Sequence, residues 1–246
     1  MSFSLPNGVY YVKNNLLMSN DISSNIIIKD LKHLSVYNGK QWSDYRLGDT
    51  IAGKNHNLGK TLDNKINLIS RRWSNSLMHK YFLLIKSKNI KWNNFHELNK
   101  LLDIHSNNLL IDNNYDFNYI AIHVRVGDGI SWRTDIDTYK KIPFENYKNL
   151  NIDNIIIFCG SHNRNSPPCK TTVHYINSVI DILTPYGFNV YVRSSNSPDD
   201  DLCLMVKAKY FMPGGISNKV NGRPNGGGYN NLIRSLRYGN NIITIT

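Results

Sequence analysis

The chain has 246 residues and a formal charge of +11, from 29 Lys and Arg against 18 Asp and Glu. Hydrophobic residues make up 41% and charged residues 19%, which excludes a disordered tail or a fibre and leaves room for one large or two small globular domains. No run approaches the ~18 apolar residues of a membrane span, and the opening MSFSLPNGVYYVKNN lacks the basic-then-apolar order of a signal peptide.

Residues 1 to about 115 hold short apolar runs broken by polar clusters. Ser24 to Ile28 reads as a short strand. Leu62, Ile66, Ile69, Trp73, Leu77 and Tyr81 recur at spacings of three and four, which predicts a helix over Leu62 to Lys86. Asn93 to Leu102 reads as a second helix, ending before His105-Ser106-Asn107-Asn108. From Phe117 the pattern becomes regular. Phe117 to Val126 (FNYIAIHVRV) has the β-branched density of a strand. Ile152 to Cys159 is the continuous apolar run expected of a strand covered on both faces. Thr171 to Leu183 has helical spacing and stops at Pro185-Tyr186-Gly187. Strands are expected at Phe188 to Val192, Phe211-Met212 and Ile242 to Ile245, and helices at Asp199 to Tyr210 and Tyr229 to Tyr238. Such alternation implies βαβ units and a mostly parallel sheet. The expected division is a smaller α/β lobe, 1–115, and a Rossmann-like α/β lobe, 116–246.

His123-Val124-Arg125-Val126-Gly127-Asp128 falls at the carboxyl end of the first strand of the second half. Ligands of open α/β sheets bind in the crevice beyond that edge. Alternation puts His123 and Arg125 on one face of the strand. A guanidinium offers a planar fork of donors that suits phosphate oxygens. Gly127 allows a sharp turn and a close approach of ligand to backbone. Asp128 is placed to cap the following turn or to pair with a cation.

HVRVGD resembles the H-x-R-x-G-D signature of the fucosyltransferases that use GDP-fucose, namely the α-1,2 and α-1,6 enzymes and the protein O-fucosyltransferases. A second stretch is similar to that superfamily's later block: Ser197-Pro198-Asp199-Asp200-Asp201, then Leu202, Met205 and Ala208, then Phe211 to Ser217 (FMPGGIS). The resemblance covers roughly residues 117 to 237. Val126 stands where many members have a second Arg. The resemblance implies a GT-B-like fold whose carboxy-terminal lobe holds a nucleotide sugar without a metal ion. Carried over, Arg125 would hold the β-phosphate and His123 would line the donor pocket. Gly127 and Asp128 would adjoin it, and Gly214, Gly215 and Ser217 would form the small-residue loop at the nucleotide.

The stretch Asn221 to Asn230 (NGRPNGGGYN) leads into a helix, where Gly227, Gly228 and Tyr229 would offer backbone N–H groups to a phosphate, with Arg223 and Arg234 adding charge; a plain surface loop is the rival reading. An inverting transfer needs a base near the acceptor hydroxyl. Asp135, in the loop Ser131 to Asp137 (SWRTDID), is the candidate, with Asp49 as a rival from the first half. Trp132, beside the motif, is the aromatic placed to stack on a sugar. Asp199-Asp200-Asp201 admits a metal reading, but Ser197 as N-cap, Pro198 at the first helical position and acids in the first turn account for it without one. Cys159, His162 and Cys169 match no standard zinc module.

An odd total of 3 cysteines gives no disulfide framework and suits a reducing, cytoplasmic setting. The 36 Asn and 28 Ile against 3 Ala read as codon bias, and none of the Asn begins an N-x-Ser/Thr acceptor. The basic balance favours a polyanionic partner, or it serves solubility alone. Its Lys and Arg are scattered, with Arg71-Arg72 and Lys86-x-Lys88 the densest spots, so no nucleic acid is expected. The expected partners are a nucleotide sugar, GDP-fucose first, and a glycan acceptor. Another GDP-, UDP- or dTDP-sugar, a sugar-binding protein without turnover and a basic nucleic-acid-binding protein are the alternatives.

Overall fold

The computed structural model describes residues 9–13, 16–19, 27–28, 77–89, 95–113, 117–126, 136–161, 170–193, 198–213 and 228–239. Among them is a seven-stranded sheet in the order β3-β2-β1-β6-β5-β4-β7. Two of its strands, β4 (Tyr119–Val126) and β5 (Asn154–Ser161), run parallel in register from Tyr119 opposite Asn154 to Val126 opposite Ser161. β6 (Asn189–Arg193) pairs parallel with β5, and β7 (Tyr210–Pro213) pairs parallel with β4.

Alternation along these strands makes two cores. Ile120, Ile122 and Val124 of β4, with Ile155 and Ile157 of β5, face α5 (Lys170–Leu183) through Ile176, Val179, Ile180 and Leu183. Tyr139 of α3 (Asp137–Lys140) and Phe144 of α4 (Phe144–Lys148) complete that side. Tyr119, Ala121, Ile156, Phe158 and Phe211 face the opposite way. They meet α1 (Leu77–Lys88), α2 (His96–Asn113), α6 (Pro198–Lys207) and α7 (Gly228–Gly239). The fold is therefore α/β, a parallel sheet flanked by helices on both faces. Double coverage explains why β5 reads as an unbroken apolar run. Each fully buried Ile or Leu contributes about 1.5–3 kcal/mol relative to exposure.

The ends of α5 and α6 follow local chemistry. After α5 a 3-10 turn, Thr184–Tyr186, closes on Gly187, whose φ of 70° suits glycine, and the Gly187 N–H donates to the Thr184 carbonyl at 3.1 Å. The last carbonyls of α6 are met by Arg237 of α7, which is wholly buried. Its guanidinium donates to the carbonyls of Met205 (3.2 Å), Val206 (2.8 Å), Ala208 (2.6 Å) and Lys209 (3.2 Å) and lies 5.9 Å from the Phe211 ring centroid. Burial lowers the pKa of Arg237 to about 10, so it remains charged at neutral pH. A cation there also complements the negative end of the α6 dipole.

Several elements differ from expectation. α2 does not stop at Leu102 but runs through His105-Ser106-Asn107-Asn108 to Asn113. Tertiary contacts override the weak helix propensity of that polar stretch: Ser106 is buried, His105 meets Asp200, and Leu109 packs against the core. The short helices α3 and α4 between β4 and β5 were not expected. Nor were β1 (Val9–Lys13) and β2 (Leu16–Ser19), an antiparallel pair with Tyr10 opposite Ser19. β3 (Ile27–Ile28), the end of the strand expected over Ser24 to Ile28, pairs antiparallel with β2. β1 pairs antiparallel with β6, so these strands extend the same sheet. α1 begins at Leu77 among the described residues; the earlier part of the Leu62 to Lys86 helix and the strand at Ile242 to Ile245 lie outside them. α1 and α2, on the amino-terminal side of residue 115, share one core with β4, α6 and α7.

Candidate functional site

From β4 the chain steps outward to β5 and then β6, with α3, α4 and α5 on one face. It then returns over the other face through α6 to β7, on the far side of β4. The winding thus reverses between β4 and β7. In open α/β sheets the crevice beyond the carboxyl ends of the strands at such a reversal is where ligands bind. Here the two strands that flank it end in residues of the two stretches singled out in the sequence: His123 to Val126 are the last four residues of β4, and Phe211 to Pro213 the last three of β7.

The register defines this edge. His123 lies opposite Phe158 of β5 on one side and Pro213 of β7 on the other. Arg125 lies opposite Gly160. Of the expected site residues, Gly127, Asp128, Asp135, Gly214, Gly215, Ser217 and Gly227 lie outside the described residues, as do the rival base Asp49, Trp132 and Arg223. Gly228 and Tyr229 open α7. Asp137, at the end of the SWRTDID loop, is exposed and pairs with Lys140 at 2.8 Å, and the hydrogen bond from Lys140 holds its carboxyl below the usual range.

His123 connects the carboxyl end of β4 to α7. It is 7% exposed, and its Nδ1 lies 2.5 Å from Oδ1 of Asn230, which is 4% exposed. Asn230 is the third residue of α7, so this bond ties the first turn of the helix after the Gly-rich stretch to the carboxyl end of β4. His123 of the motif and Asn230 of α7, 107 residues apart, thereby meet at one edge. Sequence reasoning missed Asn230. Its signal, an Asn in the first turn after three glycines, was hidden among 35 others of its type. One turn further along α7, Arg234 is half-buried, its Nε is buried and meets no acceptor among the described residues, and desolvation lowers its pKa.

The acidic triplet does open α6, but its carboxylates diverge. Asp199 accepts the Leu77 N–H at 3.0 Å and so caps α1. Asp200 meets His105 Nε2 of α2 at 2.7 Å. Asp201 pairs with Arg193 Nε of β6 at 2.5 Å, both nearly inaccessible. The three side chains fasten α6 to three different elements, a role the sequence reading of first-turn acids did not contain. Among the described residues no group of three or more His, Cys, Asp or Glu is arranged to hold a metal ion. Cys159 sits in the apolar core with its thiol pushed well above the usual range by burial; His162 and Cys169 lie outside the described residues. No described helix is long and apolar enough to cross a membrane.

Asp199 gives the protein a pH dependence. Burial raises its pKa from 3.8 to about 6, against the opposing hydrogen bond from Leu77. Between those values the unfolded chain releases the proton more readily than the folded one. Stability therefore falls as pH rises from about 4 to about 6 and levels off above. The contribution is less than about 3 kcal/mol. Asp199→Asn keeps an acceptor for Leu77 and has no proton to lose, so it should flatten the slope of urea midpoints between pH 4 and 6. An unchanged slope would assign the titration elsewhere.

No family model matches the chain, and no curated protein matches it. Among solved structures it is similar to POFUT1 in complex with GDP, at 9% identity and a TM-score of 0.35, over 60% of this chain and 49% of that one. For the apo form of POFUT1 the values are 10%, 0.38, 60% and 47%. For POFUT1 in complex with GDP-fucose they are 11%, 0.32, 57% and 44%. The chain thus covers just under half the length of the solved structures it matches. At these scores the similarity assigns no family, and the functional reading rests on this chain's own residues.

Proposed function

We propose that the protein is an inverting glycosyltransferase that transfers a sugar, fucose from GDP-fucose first among the candidates, to a glycan hydroxyl. The observation that carries this reading is the HxRxGD signature at the carboxyl end of β4, beside the reversal of winding, with His123 bonded to the first turn of the helix that follows the Gly-rich stretch. In this reading residues 116–246 hold the donor and residues 1–115 form the acceptor side, although α1 and α2 pack into the donor-side core. Arg125 neutralises the departing diphosphate. His123, Gly127 and Asp128 line the donor site, Gly214, Gly215 and Ser217 contact the nucleotide, and Gly227, Gly228 and Tyr229 present backbone donors to the phosphates. Asp135 removes the acceptor proton as the hydroxyl oxygen attacks the anomeric carbon; the bond to the diphosphate oxygen breaks, and its electron pair leaves with GDP. Charge compensation by Arg125 makes a metal ion unnecessary. A cytoplasmic setting is proposed on the cysteine usage.

The test is a thermal-shift and calorimetric titration with GDP, UDP and dTDP. A ligand that binds only the folded state stabilises it by about 2.7 kcal/mol at one hundred times its dissociation constant. A shift with GDP alone is the expected result. A shift with UDP or dTDP alone would retain a transferase and discard fucose. No shift with any of them, together with salt-sensitive DNA binding, would replace this reading with a basic nucleic-acid-binding protein.

A further inference from the structure

Arg234 of α7 is half-buried, and its Nε is buried without an acceptor among the described residues. A desolvated cation is ordinarily paired, because burying charge without a partner costs stability. Around α7 the carboxylates of the described side chains are engaged elsewhere. α7 itself (GYNNLIRSLRYG) carries no Asp or Glu, and neither do β4 and β7. On α6, which packs against it, Asp199 accepts the Leu77 N–H, Asp200 meets His105 and Asp201 pairs with Arg193. On α2, Glu97 holds Lys88 and Lys100, and Asp103 holds Lys207. Desolvation lowers the pKa of Arg234, and no carboxylate offsets it among the described residues.

The position of Arg234 adds to this. Asn230 and Arg234 are four residues apart and so share a face of α7. That face meets the carboxyl end of β4, where Asn230 Oδ1 lies 2.5 Å from His123 Nδ1. Helical side chains lean toward the amino terminus of their helix, so the Arg234 stem runs back over the turn that holds Asn230. We propose that Arg234 is an anion-binding residue that takes a phosphate oxygen of the nucleotide, a second guanidinium in addition to Arg125. Its counter-charge arrives with the ligand. The nucleotide as source of that phosphate rests on the donor-site reading above; the demand of Arg234 for an anion does not.

Arg234→Met keeps an apolar stem and removes the charge. GDP, guanosine and inorganic pyrophosphate are titrated into wild type and variant by calorimetry, and the ligand-free proteins are unfolded in urea. GDP should bind the variant at least about tenfold more weakly, the loss of one charge-assisted hydrogen bond. Guanosine, which has no phosphate, should bind both alike. The urea midpoint of the ligand-free variant should equal or exceed that of wild type, because an unpaired charge has gone. Unchanged GDP affinity would overturn the proposal. So would a lowered urea midpoint with guanosine weakened as much as GDP, the mark of a structural role. If GDP fails to bind the wild type, the donor-site reading falls and pyrophosphate decides: weaker binding to the variant upholds the anion site, and equal or absent binding ends it. Arg234→Gln, with a neutral polar end, is the second variant and is read in the same way; failure of both to fold would make Arg234 structural and overturn the proposal.

Discussion

Arg237→Ala should lower the stability of the protein by about 3–5 kcal/mol, the cost of leaving buried polar groups without partners. The guanidinium serves the carbonyls of Met205, Val206, Ala208 and Lys209, where α6 ends and the chain enters β7. Those carbonyls belong to the last turn of α6 and the residues just after it, so they have no intrahelical donors of their own. Alanine supplies none and also removes the packing over Phe211. Domains of this kind are stable by only about 5–15 kcal/mol in total, so the loss should appear as a large fall in the urea midpoint followed by circular dichroism. Arg237→Lys keeps a charge at the α6 terminus but replaces a planar fork with a single ammonium, and an intermediate loss is expected. A loss below about 1 kcal/mol in the alanine variant would show that water reaches these carbonyls as easily as Arg237 does.

The same residue shows where sequence reading stops. The Tyr229 to Tyr238 helix was legible from its apolar spacing, and α7 spans Gly228–Gly239. Nothing in that spacing distinguishes Arg237, wholly buried, from Arg234, half-buried one turn earlier, because the difference is set by the end of α6 in another part of the chain. The parallel strands were legible for a related reason. Residues such as Ile155 to Phe158 face apolar layers on both sides, so their composition alone reports their environment. β1 and β2 were not, since Val9 to Ser19 mixes polar and apolar residues in short runs that gain meaning only from pairing with β6. α2 was cut short because its polar second half is held by tertiary partners such as Asp200 and not by propensity. At the candidate site the motif on β4 was legible as a local pattern. Its partner Asn230 was not, because a contact across 107 residues leaves no periodic trace.

Arg125→Ala should reduce kcat/KM for sugar transfer at least about tenfold, and by about 10²–10³ if the guanidinium acts mainly on charge that develops in the transition state. Arg125 lies at the penultimate position of β4, opposite Gly160, a residue that brings no side chain of its own to that place in the sheet. A hydrogen bond to a charged group contributes about 1.5–3 kcal/mol, which sets the lower bound, and a preorganised donor in a site closed to water sets the upper one. The two cases separate kinetically. If Arg125 binds donor and transition state equally, KM for the nucleotide sugar rises and kcat holds. If it acts on the departing diphosphate, kcat falls with little change in KM. Arg125→Lys should recover part of the loss, since an ammonium supplies charge without the bidentate geometry. Thermal melting of the alanine variant should stay close to wild type, in contrast to Arg237→Ala, because the strand pairing of Arg125 uses only its backbone. Full activity in a folded Arg125→Ala protein would end the case for HVRVGD as a diphosphate site, whatever the nucleotide titrations had shown.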